Sequence, residues 1–203
     1  MRVELPILLS LPDRLDGARI FLRRYVDDDA PALCDVIDQA RPHLDRWLPG
    51  FRQPWSFKDA LAFVRQCQAR WALRESFQMG IFHRDTGALL GDLGLRPADW
   101  FIPSFDIAYW LHPAAEGQGY VSEAVRLAAG LAFETLGADR LIICCDQRNV
   151  RSRSVPERLG FVLEGCLRNN ARGPDGELFD MLVFALTADD HRRVRAEWPA
   201  TGA

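Results

Sequence analysis

Polar and apolar residues alternate through Ala18–Arg23, a period that predicts a strand. Asp27–Asp29 then offers capping oxygens before Pro31–Gln39, where Leu33, Val36 and Ile37 fall at helical spacing. Arg41–Trp55 is rich in Pro and Trp and reads as a turn-linked, partly helical excursion. Helical spacing returns in Phe57–Leu73 at Leu61, Val64 and Trp71. Phe77–Phe82 and Ala88–Leu95 are predicted strands joined at Asp85-Thr86-Gly87, a hairpin signal, and Phe105–Leu111 is a further strand. Ser122–Leu136 is a predicted helix stopped by Gly137, Arg140–Cys145 a strand, and Val150–Leu159 a short helix ending at Gly160. Phe161–Leu167 and Leu178–Leu186 are predicted strands around the turn Gly173-Pro174-Asp175-Gly176, and Ala188–Trp198 is a last helix.

Three consecutive strands suggest an antiparallel meander, and the strand–helix–strand unit Phe105–Cys145 suggests a parallel pair. The expected fold is therefore α/β in the α+β sense: a mixed, mostly antiparallel sheet of about seven strands flanked by helices, and not a doubly wound parallel sheet. A chain of 203 residues fits one domain, 1–203, with its core at about 18–186 and a C-terminal helix at 188–198. Hydrophobic residues make up 48% and charged residues 26%, which is globular and argues against a disordered or low-complexity chain.

Charge narrows the function classes. The formal net charge is -3, with 25 basic against 28 acidic residues, so the chain lacks the basic footprint of sequence-independent nucleic-acid binding. No apolar run approaches the ~20 residues of a membrane span. Glu4 and Pro6 interrupt the apolar start Met1–Leu11, which argues against a secretory signal. The five cysteines, Cys34, Cys67, Cys144, Cys145 and Cys166, are odd in number and contain no C-x-x-C pair. That pattern points away from a disulfide framework or a zinc site, and the cytoplasm is the expected compartment.

The most informative stretch is Trp110-Leu111-His112-Pro113-Ala114-Ala115-Glu116-Gly117-Gln118-Gly119-Tyr120-Val121-Ser122. A strand ends, Pro stops it, and a short glycine loop opens a long helix. Glycines let backbone N–H groups approach an anion, and a helix N-terminus adds donors and a favourable dipole. A diphosphate fits that description; so does a plain strand-to-helix turn. The dinucleotide pattern G-x-G-x-x-G fails because Ser122 stands where its third Gly belongs, and no Gly-Lys-Ser/Thr of a P-loop follows. A second motif, Asn149-Val150-Arg151-Ser152-Arg153-Ser154-Val155-Pro156-Glu157-Arg158-Leu159-Gly160-Phe161, follows the next strand, with Asn149 an N-cap candidate and Gly160 a C-terminal stop.

In order and spacing these segments resemble the GNAT superfamily of N-acetyltransferases, and within it the RimJ/RimL type, the ribosomal-protein N-terminal acetyltransferases. The features that carry the resemblance are the strand Phe105–Leu111, the loop Glu116–Val121, N-x-x-S at Asn149–Ser152, and P-E-R-L-G-F at Pro156–Phe161. Leu163-Glu164-Gly165-Cys166-Leu167-Arg168 and the early Leu44-Asp45-Arg46-Trp47-Leu48-Pro49 add to it, so that it covers nearly all of Ala18–Leu186. The family loop is Q/R-x-x-G-x-G/A; this chain departs from it with Glu116 in the first position and Val121 in the last. The Glu116 side chain is expected to point away from a bound anion.

The resemblance implies a GNAT-like domain in which Phe105–Leu111 splays from its parallel neighbour Arg140–Cys145, often at a bulge. It implies acetyl-CoA as cosubstrate, no metal, direct transfer to an amine in a ternary complex, and a homodimer. The loop Glu116, Gly117, Gln118, Gly119, Tyr120, Val121 and Ser122 would take the diphosphate. Backbone N–H groups near Trp110 and Leu111 would polarise the thioester carbonyl, and Asn149 would contact the pantetheine or brace the open strand. Ser152 is the expected proton donor to the leaving thiolate; the structural alternative is a first-turn hydroxyl bonded to a backbone N–H. Asp106 is the expected base, with Glu164 and His112 behind it; the alternative is an exposed strand-end carboxylate. Strand alternation puts Asp106, Ala108 and Trp110 on one face and Ile107, Tyr109 and Leu111 on the other. Trp47, Phe51, Trp55 and Phe57 belong to the acceptor side or to simple packing, and Asp45 either attracts a cationic amine or is solvated. Cys144 and Cys145 read as small buried hydrophobes. The acceptor is a protein N-terminus or a small-molecule amine. Two other classes remain open at this point: a non-catalytic acyl-CoA-binding or sensor protein, and a scaffold that has lost the site.

Overall fold

The computed structural model describes residues 5–173 and 175–198. Residues 1–4 of the apolar start and Pro174 of the predicted turn lie outside them. The described strands are β1 (Arg14–Asp16), β2 (Ile20–Arg24), β3 (Phe77–His83), β4 (Leu89–Asp99), β5 (Ser104–Leu111), β6 (Arg140–Asp146), β7 (Val162–Arg172) and β8 (Leu178–Thr187). The described helices are α1 (Ala30–Leu44), α2 (Phe57–Leu73), α3 (Tyr120–Gly130), α4 (Val150–Arg158) and α5 (Ala188–Val194). One mixed sheet runs in the order β1-β2-β3-β4-β5-β6-β8-β7, and only β5 and β6 pair in parallel.

The meander, the parallel unit and the final hairpin follow the sequence pattern; the strand count is eight where about seven were expected. The added strand, β1, is three residues of mixed polarity lying along β2, too short to show a period. α1 runs on through Pro42 to Leu44, because a proline near a helix end sacrifices only one internal bond. α2 has the predicted bounds. Ser56 and Asp59 bond reciprocally at its start, and Arg74 ends it in the left-handed region at φ 60°. α3 gives way to a single wide turn at Leu131–Thr135 before the predicted end. The predicted tail helix is α5 followed by a 3-10 turn, Arg195–Glu197.

The sheet has two covered faces. Ile20, Leu22, Met79, Ile81, Leu93, Leu95, Ile107 and Leu111 pack with α3 residues such as Ala124, Val125 and Ala128. Phe21, Tyr25, Phe82 and Leu89 pack on the other face with Leu33 and Ile37 of α1 and Val64 and Cys67 of α2. The residues of β4 thus sort by parity: Leu93 and Leu95 face α3, and Asp92 and Gly94 face the α1/α2 side.

A buried carboxylate joins the start of the sheet to the start of α3. Glu123 is 2% exposed; its Oε1 accepts from the backbone N–H groups of Arg19 at 2.8 Å and Ile20 at 3.4 Å, and its Oε2 accepts from Arg19 Nε at 3.0 Å. Gly17 lies against this junction: a Cβ there would sit 2.5 Å from Glu123 Oε1 and 3.0 Å from the Ile20 carbonyl. The glycine is therefore required by the clamp. Gly17→Ala is expected to cost about 1–3 kcal/mol of stability, seen as a lower urea midpoint with an unchanged slope.

Candidate functional site

β5 and β6 pair from Ser104–Arg140 to Ile107–Ile143 and then part. β5 stays on β4 as far as the Gly91–Leu111 pair, and β6 stays on β8 as far as Asp146–Met181. Beyond Ile107 and Ile143 a gap therefore opens within one sheet. The His112 N–H donates to the Leu90 carbonyl at 2.8 Å. By alternation the backbone groups of Ala108 and Trp110 face β4, whereas those of Tyr109 and Leu111 face the gap. Of the two N–H groups nominated near the thioester, that of Leu111 faces the gap; its companion there is Tyr109, and Trp110 contributes its ring to the α1/α2 side. The expected bulge is not at the mouth: the β4–β5 register is continuous from Gly91–Leu111 to Pro97–Phe105 and shifts only at the closed end. The Tyr109 hydroxyl donates to the Ser152 carbonyl at 3.0 Å, tying β5 to α4, and burial pushes its phenol well above the usual range.

The loop at the mouth has the backbone an anion needs. Gly117 and Gly119 have φ of 73° and 82°, a region that excludes most side chains. The first internal bond of α3 runs from the Glu123 N–H to the Gly119 carbonyl at 3.1 Å, so the N–H groups of Tyr120, Val121 and Ser122 have no helical acceptor four residues back. Gln118 is fixed at both ends: its carbonyl accepts from Arg19 Nη1 at 2.7 Å and its amide donates to the Ala114 carbonyl at 2.9 Å. Tyr120 is buried with the Arg19 guanidinium over its ring, and Val121 packs into the core, so its bulk stays out of the loop. The Ser122 hydroxyl accepts from Arg158 Nη1 at 3.0 Å, which brings a cation of α4 to the start of α3. Glu116 turns from the loop to bond His43 Nε2 of α1 at 2.8 Å and to pair with Arg151 of α4. Unpaired donors, positive-φ glycines and nearby guanidinium groups together suit a diphosphate.

Across the gap, the Asn149 side chain accepts from the Ser152 N–H at 3.0 Å and so caps α4. With Asn149 in that role, the half-buried Ser152 hydroxyl is not needed as the cap. On the α1/α2 side of β5, Asp106 pairs with Arg96 at 2.9 Å, in the stretch where β5 and β6 are still paired. Glu164 pairs with Arg140 by two bonds, and that guanidinium holds its carboxyl below the usual range. His112 Nδ1 accepts from the Ala114 N–H at 3.2 Å and shapes the turn after β5. Cys145 is buried as expected, but Cys144 is exposed, because past Ile143 no β5 residue lies beside it.

The aromatic excursion packs as a row. Phe51 stacks on Trp55 at 5.8 Å and meets Trp110 edge-on at 5.6 Å, and Trp55 meets Phe63 at 5.4 Å. Phe57 is exposed, Trp47 lies beside the Arg46 guanidinium, and Asp45 faces Arg52 at 3.7 Å. Next to this row is a group the sequence reading passed over. Asp92, 3% exposed, accepts from the Tyr25 hydroxyl at 2.8 Å and from the Gln78 amide. Its signal was an acid set among Leu and Gly in a strand. His43, Arg151 and Arg158 were also missed, since nothing local in the sequence ties them to the loop.

A family model described as Acetyltransferase (GNAT) domain matches residues 19–162. YdaF of Bacillus subtilis (strain 168), named as a candidate ribosomal N-acetyltransferase, is 30% identical over 170 residues, which are 82% of this chain and 90% of that protein. The ribosomal-protein-serine acetyltransferase of Escherichia coli (strain K12) is 32% identical over 88 residues, 43% of this chain and 48% of its own length. A solved structure of RimL, a ribosomal L7/L12 α-N-protein acetyltransferase in complex with coenzyme A, superposes with a TM-score of 0.80 at 21% identity, covering 86% of this chain and 97% of that one; it shares the fold.

The cap at Asn149 has a cost that can be read directly. Asn149→Ala is expected to lower stability by about 1 kcal/mol, measured by chemical denaturation.

Proposed function

The chain belongs to the GNAT acetyltransferase domain family, and from that premise we propose that it transfers the acetyl group of acetyl-CoA to a primary amine, a protein N-terminus or a small-molecule amine, by direct attack in a ternary complex. The observation that carries this reading is the strand gap opening beside an anion-ready loop. The backbone N–H groups of Gly117–Ser122, with Arg158 beside them, hold the diphosphate. The inward backbone groups of Tyr109 and Leu111 bond the extended arm as a neighbouring strand would, and one of their N–H groups polarises the thioester carbonyl. The cosubstrate supplies an activated acyl group. Ser152, fixed through its own N–H and carbonyl, gives the thiolate its proton. Asp106, on the acceptor side at the closed end of the gap, draws the incoming ammonium. Five free thiols fit a reducing cytoplasm. The outer strand β7, with Val162, Leu163 and Leu167 exposed, gives the homodimer of this reading a surface to use.

The first test is calorimetric titration with acetyl-CoA, with CoA as the comparison. Micromolar binding is expected, and a protein that binds neither does not have this function. Screening of free N-terminal peptides and small amines follows. Ser152→Ala is expected to lower kcat by about 100-fold while acetyl-CoA binding stays near parental; an unchanged kcat removes Ser152 from the reaction. Glu116→Gln takes a negative charge from beside the diphosphate and is expected to tighten acetyl-CoA binding by about 1 kcal/mol, roughly fivefold, at low salt.

A further inference from the structure

Two carboxyl groups lie on the acceptor side of the open strand, in opposite surroundings. Asp106 faces a guanidinium at 2.9 Å. Asp92 faces neutral donors, the Tyr25 hydroxyl and the Gln78 amide, and no cation of the described residues pairs with it. The other titratable group packed on Asp92 is the Cys67 thiol of α2, itself protonated because burial pushes it up to about 12. Behind Tyr25, Asp29 is neutralised by Arg23 at 2.6 Å. Buried without a counter-charge, Asp92 is pushed up to about 7, the two hydrogen bonds opposing that rise only in part.

The register places this group beside the reacting region. Asp92 is directly opposite Trp110, and Gly94 is directly opposite Ala108. Ala108 is the exposed residue of β5, one past the point where β5 and β6 part. Asp92 is its diagonal neighbour, about 7 Å away on the same face. Gly94 lets the Gln78 side chain cross between them: a Cβ on Gly94 would collide with the Gln78 amide. That half-buried amide links Asp92 toward Ala108, while Trp110, directly opposite Asp92, joins the aromatic row of Phe51 and Trp55.

We infer that Asp92 is the proton acceptor for the amine, taking the proton through one water over Ala108, while Asp106 attracts the ammonium without removing its proton. The inference rests on the acetyl-transfer reading and reassigns the base within it. An N–H bond of the ammonium breaks, the proton passes through water to an Asp92 oxygen, and the electron pair stays on nitrogen. That pair forms the C–N bond as the C–S bond breaks. Ser152 gives its proton to the sulfur and regains one from the nitrogen. One proton remains on Asp92 and leaves to solvent.

The test is the pH dependence of kcat/KM for a Ser-initiated peptide with a free α-amine, in the parent, Asp92→Asn and Tyr25→Phe, with acetyl-CoA affinity measured in each. The parent is expected to show an acid limb near neutral pH, where Asp92 must lose its proton, and a fall at higher pH as the free amine loses the proton that Asp92 would accept. Asp92→Asn keeps the shape of the side chain, and Gln78 can turn its amide to suit. It is expected to lose that acid limb and at least about 100-fold in kcat, with acetyl-CoA binding unchanged. Tyr25→Phe removes a hydrogen bond to the carboxylate, so the same limb moves to higher pH and the enzyme stays active. A carbon-13 carboxyl titration of Asp92, expected to fall near neutral and to rise in Tyr25→Phe, gives the same answer without turnover. Full activity of Asp92→Asn, or titration of Asp92 in the ordinary carboxylate range, overturns the inference. Failure of the parent to bind acetyl-CoA overturns the acetyl-transfer reading itself.

Discussion

The molecule turns on the place where one ladder of hydrogen bonds stops. β5 and β6 stay paired only to Ile107 and Ile143, although both strands continue. Backbone groups left without a partner cost about 1–3 kcal/mol each when buried, so a sheet does not part without support. Here each diverging strand is held on its far side, β5 by β4 and β6 by β8. Across the gap Tyr109 reaches the backbone of α4, and Asn149 caps that helix. The space between is lined by polar backbone at Tyr109 and Leu111, which suits an extended polar chain.

Electrostatics at the mouth follow from placement, not from composition. The chain is acidic overall, with a net charge of -3, and two carboxylates stand at or next to the glycine loop. Both are engaged elsewhere. Glu123 is taken up by Arg19 and two backbone N–H groups, and Glu116 by His43 and Arg151. Arg158 then reaches the first turn of α3 through Ser122. The loop so presents donors to an anion even though its first residue is an acid.

Much of this was legible in the chain because the signals are local. Alternation and helical spacing gave the long elements, and Gly117 and Gly119 marked the loop by the backbone freedom they supply. β1 was not legible, since three residues carry no period, and β7 runs past its expected end at Leu167 because it is exposed on both faces. The acceptor side was the hardest to read. Asp92 differs from any strand acid only in what covers it, and Tyr25 and Cys67 come from distant segments. Alternation put Asp106 on the correct face, but its partner Arg96 is set by the β4–β5 register. The spacing of Cys144 and Cys145 gave opposite faces, and only the end of strand pairing decides that Cys144 lies open.

The sheet is in effect two ladders, β1 to β5 and β6-β8-β7, sewn together by the four residue pairs from Ser104–Arg140 to Ile107–Ile143. The seam is narrow in hydrogen bonds, yet one core packs beneath both ladders, joining Ile107 and Leu111 to Leu141, Ile143, Leu182 and Phe184; amide exchange at the four pairs reports local opening there apart from global unfolding. A ligand bonded to both lips of the gap acts as a staple across it. Through mass action it stabilises the seam and both ladders together, so local opening at the four pairs becomes rarer when it is bound.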